Sequence, residues 1–456
     1  RTMLNISSGK ILVSDFDAFR ITREGVNNDM KATRGVLFLL ALVAAIFAIN
    51  GSSSKPKPES PVDVYQRSWE KKALGQQRAL EANLPLKDST FLHSHNTYNA
   101  SAYTTAFSYI DPNHNFSVND QLRMDIRAIE FDVHWYFSME GWPWEWGNRP
   151  LLCHGQSNHV GCSAYDRHLS KGVSELNSFI RANRSEVVIL YIEEHLDGNY
   201  QAALNVLKSA FGDLIYRPTT TCQDAPVNVT RQQVLNAGKN IILWSGSCGA
   251  GEWQSWVYVK NNAVPESNVS KFTSYPDCGS AAINADAYAN KMVRFYEDRT
   301  RLTAWFGGGS GKTTTANIPE MLKCGVNLPG YDMVSPNDGR LAAAVFSWAP
   351  GEPNDYAGNE DCVMHYSTGR WNDANCTNRY RFACVNAAGQ WRVSNAAGVH
   401  GDGAAVCSNE TAGAYQFAVP KNGQQNQRLV EAKRAANVGD VWVRLNDRST
   451  EGRWVE

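Results

Sequence analysis

The chain has 456 residues, of which 43% are hydrophobic and 20% charged, and its formal net charge is −1 at pH 7. That length exceeds one ordinary domain and fits a barrel of roughly 250 residues plus an appendage, with ample apolar content for a buried core. A near-neutral balance excludes a general polyanion binder, so nucleic acid is not an expected partner.

In chain order, residues 1–29 read as an upstream, non-native extension. Met30 then opens MKATRGVLFLLALVAAIFA, where Lys31 and Arg34 precede an apolar run from Val36 to Ala48. The run fits a signal-peptide core over 30–48, with Ala45 and Ala48 as a small-x-small cleavage site, and is short for a bilayer span. Secretion is therefore expected. Residues 49–83 hold a Ser/Pro/Lys linker, GSSSKPKPESP, and a polar helix around Tyr65–Ala82. Eight N-x-[ST] sequons, at Asn5, Asn99, Asn115, Asn183, Asn228, Asn268, Asn375 and Asn409, are candidate glycosylation sites.

Ten cysteines with no CxxC spacing suggest disulfides in an oxidising compartment rather than a metal site. Sequential neighbours offer the pairs Cys153–Cys162, Cys222–Cys248, Cys278–Cys324, Cys362–Cys376 and Cys384–Cys407, although sequence alone does not determine connectivity.

From 84 to 348, strand-like runs alternate with amphipathic stretches, which predicts a parallel α/β barrel of the TIM type. Candidate strands are 90–94, 128–133, 187–192, 240–244, 326–333 and 341–347, and 168–184 reads as a helix. Four runs end in residues that titrate or bind metal: FLHSHNTYN at 91–99, AIEFDVHW at 128–135, LLCHG at 151–155 and VVILYIEEH at 187–195. They place His95, Asn96, Glu130, Asp132, His154 and Glu193 at strand ends, where a barrel builds its mouth. Glu194 or His195 are alternatives to Glu193. Strand alternation puts Glu130, Asp132 and His134 on one face. Three carboxylates and an amide oxygen suit Ca2+, and two imidazoles can handle protons near neutrality. Together they fit attack of a hydroxyl on a phosphodiester. The run FGGGSGKTT at 306–314 has Phe306 where a phosphate-binding loop needs its first glycine, and reads as a flexible loop.

The blocks HNTY, IEFD, CHG and IEEH resemble, in order and spacing, the X region of phosphatidylinositol-specific phospholipase C. The resemblance implies that His95 stabilises the transition state and His154 acts as general acid. It implies Asn96, Glu130, Asp132 and Glu193 as Ca2+ ligands, with Glu130 also taking the proton of the attacking ring hydroxyl. Asn96 and Asp132 point to the metal-dependent branch, acting on a phosphoinositide-type lipid at a membrane surface. The glycerophosphodiester phosphodiesterase and sphingomyelinase D group shares the barrel and the acidic pair before CHG, but the His-Asn pair argues against it.

Beyond Trp348 the texture shifts to Gly, Asn, Trp and Cys. The run 347–385 resembles the second half of a C-type lectin domain, a small disulfide-bonded α+β module. The likeness implies Glu352, Asn354, Glu360, Asn372 and Asp373 as ligands of a second Ca2+ and of vicinal sugar hydroxyls. Features of the first half of that domain appear afterwards, at 414–454. Residues 349–456 are therefore either a permuted lectin unit or one unit followed by a truncated second. A catalytically inactive barrel presenting a carbohydrate-binding module is the alternative function.

Overall fold

In the computed structural model the described residues are 58–280, 283–305 and 311–456. The upstream extension, the candidate signal peptide, Asn5 and residues 306–310 of the glycine-rich loop lie outside them. No helix among the described residues is long and apolar enough to cross a membrane.

Two helices lead in, α1 (Pro61–Tyr65) and α2 (Trp69–Leu80), with Ser60 and Ser68 accepting N-terminal backbone hydrogen bonds as caps. The expected polar helix around Tyr65–Ala82 is α2, and α1 precedes it. The barrel strands follow: β1 (His93–Ser94), β2 (Ala128–Ser138), β3 (Gly147–Leu152), β4 (Val188–His195), β5 (Ile215–Tyr216), β6 (Ile241–Ser245), β7 (Tyr258–Val259), β8 (Glu266–Asn268), β9 (Arg294–Tyr296) and β10 (Leu328–Tyr331). Their order is β5-β6-β4-β2-β1-β10-β9-β8, and every neighbour in that path is parallel. Only β3 runs antiparallel, forming a hairpin with β2. Among the described residues no ladder joins β7 to β8. There Lys260, just after β7, reaches Glu266 of β8 at 2.7 Å, so an ion pair spans the seam.

Alternation sorts the side chains. Ile129, Phe131 and Val133 of β2, with Leu190 and Ile192 of β4, pack outward into the same core as α4 (Leu169–Ala182) and α5 (Tyr200–Phe211), which follow α3 (Val118–Arg123). Ala128, Ile189, Tyr191, Ile242 and Trp244 fill the barrel interior. The expected helix at 168–184 is α4. The expected strand at 341–347 is not one: Arg340–Ala343 is a single helical turn entered from Gly339 at φ 76°. Its Leu-Ala-Ala-Ala core favours helix over the β-branched residues a strand prefers.

The C-terminal module has its own sheet of β11 (Cys362–His365), β12 (Trp371–Ala374), β13 (Tyr380–Asn386), β14 (Trp391–Gly398), β15 (Tyr415–Phe417) and β16 (Val441–Asn446). Its order is β12-β11-β16-β13-β14, with β15 on β13. The late strand β16 thus inserts between β11 and β13, so segments 362–386 and 414–454 build one sheet. All five disulfides join sequential cysteines: 153–162, 222–248, 278–324, 362–376 and 384–407.

Helix α2 crosses the amino-terminal end of the barrel, pinned by buried charge. Asp125 accepts from Tyr65 (2.7 Å), Lys71 (3.0 Å) and Arg78 (2.7 Å), while Glu186 pairs with Arg78 and Arg127. Burial opposes the charge on both carboxylates, but the surrounding cations outweigh it and hold both below the usual range. The C-terminal module docks on the same end: the Trp69 indole donates to the Glu352 carbonyl (2.8 Å), Gln77 binds the 346–347 backbone, and Asn422 reaches Asp88. Asp125→Asn would leave Lys71 without its carboxylate and Arg78 with Glu186 alone, and we expect a loss of about 3 kcal/mol in denaturant unfolding. Because the folded pKa values are depressed, the network stabilises fully above the unfolded carboxylate pKa of about 4. Its contribution fades as pH falls through the folded values, so the variant's deficit narrows in acid.

Candidate active site

Two strands in register create the centre of the mouth. β2 and β4 pair with Asp132 opposite Glu193, one step above Glu130 opposite Tyr191, all on the inward face. Side chains in such neighbouring positions lie about 5 Å apart, and one oxygen each from Glu130, Asp132 and Glu193 falls within 4.8 Å of the others. The structure therefore brings the three expected carboxylates together. Glu194 faces away, taking hydrogen bonds from Ser245 and the 246–247 backbone. His195 stands beside Glu193, at 3.4 Å.

Asn96 closes the group. It sits just beyond β1 at φ 47°, a conformation asparagine tolerates better than most residues. One terminal atom of its amide lies 2.9 Å from both Asp132 oxygens. A nitrogen there donates to the carboxylate; an oxygen there needs a cation between them. The following residues tie this turn to β2: Thr97 accepts from the Glu130 backbone (3.0 Å) and Tyr98 donates to Asp132 (2.9 Å).

Burial, then the charges of Glu193 and Glu130, push the Asp132 carboxyl well above its normal range. Burial also raises Glu130, against the pull of Arg294, whose guanidinium touches it at 2.5 Å. Arg294 and Lys260 share Glu266, and Arg294 lies over the ring of Tyr296. Crowded, buried oxygens of this kind fit a divalent ion of the Ca2+ type, which takes six to eight oxygen ligands in flexible geometry.

The two expected histidines flank this centre. His95 lies 3.4 Å from Asp332, at the end of β10. Burial disfavours its charge, but Asp332 and then Glu130 more than compensate and raise it to about 9. His114 holds the His95 carbonyl at 2.6 Å. His154 opens to solvent in the loop tied by Cys153–Cys162. Desolvation and the His95 charge lower its pKa. Its Nδ1 faces the Asn99 amide nitrogen at 3.2 Å, and that nitrogen also meets Asn113 (2.7 Å) and the Asp111 carbonyl (3.2 Å). The nitrogen has two hydrogens for these three acceptors, and where one is donated to Nδ1 the imidazole proton sits on Nε2. Asn99 is therefore a positioning residue; at 1% exposure it is no glycan acceptor, despite its sequon.

The residues missed from sequence are Asn99, Asp332, Arg294, Tyr296 and Lys260. Asp332 ended an expected strand and could have been found by the same strand-end rule. Arg294 and Tyr296 share a three-residue strand too short to register as a periodicity.

The C-terminal module gathers a second oxygen cluster. Asp373 accepts from the backbone of Asn354 (3.2 Å) and Asp355 (2.7 Å), and Glu360 from that of Tyr356 (2.9 Å). One Glu352 carboxyl oxygen is buried without a partner, and burial with the adjacent Asp373 charge raises Glu352 to about 7. Asn372 instead turns its amide back onto the Asp373 carbonyl. A third group, missed from sequence, is Asp361, Asp447 and Glu451, whose oxygens also fall within 4.8 Å of one another. Asp447 carries an unpartnered buried oxygen, and burial raises it to about 6.

Residues 58–338 match the family described as Rv2075c PI-PLC-like domain, and 330–386 match the C-type lectin domain. Protein Rv2075c of Mycobacterium tuberculosis strain H37Rv is 33% identical over 405 residues, covering 84% of this chain and 80% of that one. The mouse C-type lectin domain family 4 member G is 61% identical over 52 residues, 11% of this chain and 16% of its own. Among solved structures, the phosphatidylinositol-specific phospholipase C of Listeria monocytogenes aligns over 59% of this chain and 96% of its own, with 15% identity and a TM-score of 0.38.

Asn99→Asp would place an acceptor at His154 Nδ1. We expect the imidazole proton to move to Nδ1 and the His154 pKa to rise, read from ring 15N shifts across a pH titration. Unchanged shifts would remove Asn99 from its positioning role.

Proposed function

The chain belongs to the Rv2075c PI-PLC-like family, and on that premise we propose that it is a secreted, Ca2+-dependent phospholipase C-like phosphodiesterase. Its substrate is a phosphoinositide-type lipid, cleaved by attack of a hydroxyl of its own headgroup on the diester. The observation that carries this reading is the convergence of two differently tuned histidines on one buried carboxylate cluster. Asp332 favours a charged His95, suited to balance negative charge developing on the phosphoryl oxygens. The Asn99 contact favours an Nε2 proton on His154, suited to donation to the departing diacylglycerol oxygen.

Asn96, Glu130, Asp132 and Glu193 are the residues that would hold Ca2+. A bound Ca2+ would neutralise the phosphate and acidify the attacking hydroxyl. Glu130 is positioned to take that proton, with Arg294 fixing its carboxylate. Arg294, Lys260 and Tyr296 offer donors and an aromatic face to a polar headgroup at the same rim. Five disulfides support an oxidising, extracellular location.

The C-terminal module is read as a circularly permuted C-type lectin unit that binds a glycan through Ca2+. Supporting this, the Asp361, Asp447 and Glu451 cluster draws on both of its sequence halves. Glu352, Asn354, Glu360 and Asp373 form the ligand set for sugar hydroxyls, with Asn372 joining only if its amide turns outward.

His154→Ala should cut release of cyclic inositol phosphate from lipid vesicles by a factor of roughly 100 or more; undiminished turnover would sink the assignment. Chelation of Ca2+ should abolish the same signal and readdition restore it. Activity that persists in chelator contradicts the metal-dependent reading.

A further inference from the structure

Helix α2 does more than close the barrel. One flank of it and the last residues of the C-terminal module wall a cleft of about 820 Å³, a size within the range of small-ligand sites. From α2 come Lys72, Gly75, Gln76 and Ala79, a single stripe of the helix. Trp454 and Val455 stand opposite, and the buried Trp348 and Leu445 line the base.

The module wall is prebuilt. Val455 and Asn446 of β16 exchange backbone hydrogen bonds at 2.7 and 2.9 Å, and Asp447 accepts from the Gly452 backbone at 2.8 Å. Trp454 packs edge-on against Trp348, with 4.8 Å between ring centroids. Little conformational entropy remains to be lost there on binding.

Gly75 is the telling residue in the facing wall. Glycine inside a helix is destabilising relative to alanine. Packing does not require it, since a Cβ there would meet only the mobile end of Arg78, 3.9 Å away. What the glycine keeps is depth in the cleft, where a ligand can approach the helix backbone closely.

Position and composition together identify the occupant. The cleft adjoins the candidate sugar site: Pro353 and Asp355 on its edge flank Asn354, and Trp69 at the start of α2 holds the Glu352 carbonyl. Its rim mixes signs, with Lys72 and Arg453 against Asp355, Glu451 and Glu456, and so selects no net charge. A pyranose ring suits such walls, because it offers a C–H face to an indole and hydroxyls to polar neighbours. An acyl chain would desolvate the rim charges without replacing their hydrogen bonds.

We propose that this cleft is an extended glycan subsite shared by the barrel's leading helix and the C-terminal module. A neutral oligosaccharide whose end is held at Glu352 and Asn354 lays its next rings between α2 and Trp454. The proposal rests on the lectin reading above and makes α2 a determinant of which glycan is bound.

The full-length protein in Ca2+ is titrated calorimetrically with mannose, glucose, galactose and N-acetylglucosamine, and with neutral oligosaccharides ending in each. The parent should bind its best oligosaccharide roughly tenfold or more tightly than the matching monosaccharide. Gly75→Trp, which fills the cleft from the barrel side, should erase that gain and leave monosaccharide affinity and the unfolding temperature close to the parent's. Trp454→Ala should erase it from the other wall. Equal affinity of the parent for both ligands overturns the proposal, as does a gain that survives Gly75→Trp. Oligosaccharide binding that persists in chelator yet falls in Gly75→Trp upholds the cleft and sinks the Ca2+-dependent sugar site instead. A parent that binds no saccharide of the panel overturns both.

Discussion

The in-register parallel pairing of β2 with β4 is the constraint on which the rest depends. A strand has a period of two, so a slip of one residue in either strand would turn its carboxylates into the helix layer and bring isoleucine and valine into the mouth. Register is secured by the outward faces. Ile129, Phe131 and Val133 share a core with Leu190, Ile192 and the inner faces of α4 and α5. Apolar packing on one side of the sheet therefore fixes polar geometry on the other. Gly172 of α4 contributes directly, since a Cβ there would meet Leu152 at 2.7 Å and Phe131 at 3.0 Å.

That geometry concentrates negative charge in a place where water is scarce. Lys260 meets Glu266 across the open seam, and Arg294 of the neighbouring strand β9 bridges Glu266 and Glu130. With one cation for each of these carboxylates, buried Asp132 and half-exposed Glu193 remain without one, and a divalent ion would favour the charged form of both. His195 beside Glu193 offers partial relief without one. The tyrosine and asparagine that touch Asp132 are neutral, so they orient the carboxylate and leave its charge intact.

Much of this was legible in the sequence because strand ends announce themselves. Hydrophobic runs that stop at His95, Asp132, His154 and Glu193 mark positions at the mouth, although β2 continues past Asp132 and β3 returns antiparallel to bring in His154, and the cysteine neighbours paired as proximity suggested. What stayed hidden depends on contacts distant in sequence. Asp332 matters because β10 lies beside β1, a closure that local periodicity does not encode. Asn99 looked like a glycan acceptor because its sequon is local, whereas its burial against Asn113 is not. The 341–347 run misled for the opposite reason: its apolar content marked burial, and burial does not distinguish a strand from one helical turn.

The same closure separates the two polar sites. Helix α2 lies across the amino-terminal end of the barrel, and its Trp69 indole holds the carbonyl of Glu352. The oxygen cluster of the C-terminal module is thereby built on the end opposite the histidines. One ligand cannot reach both sites without passing the barrel wall. On the functions proposed above, a headgroup at Glu130 and a polyol at Glu352 would belong to different molecules, or to distant parts of a large one.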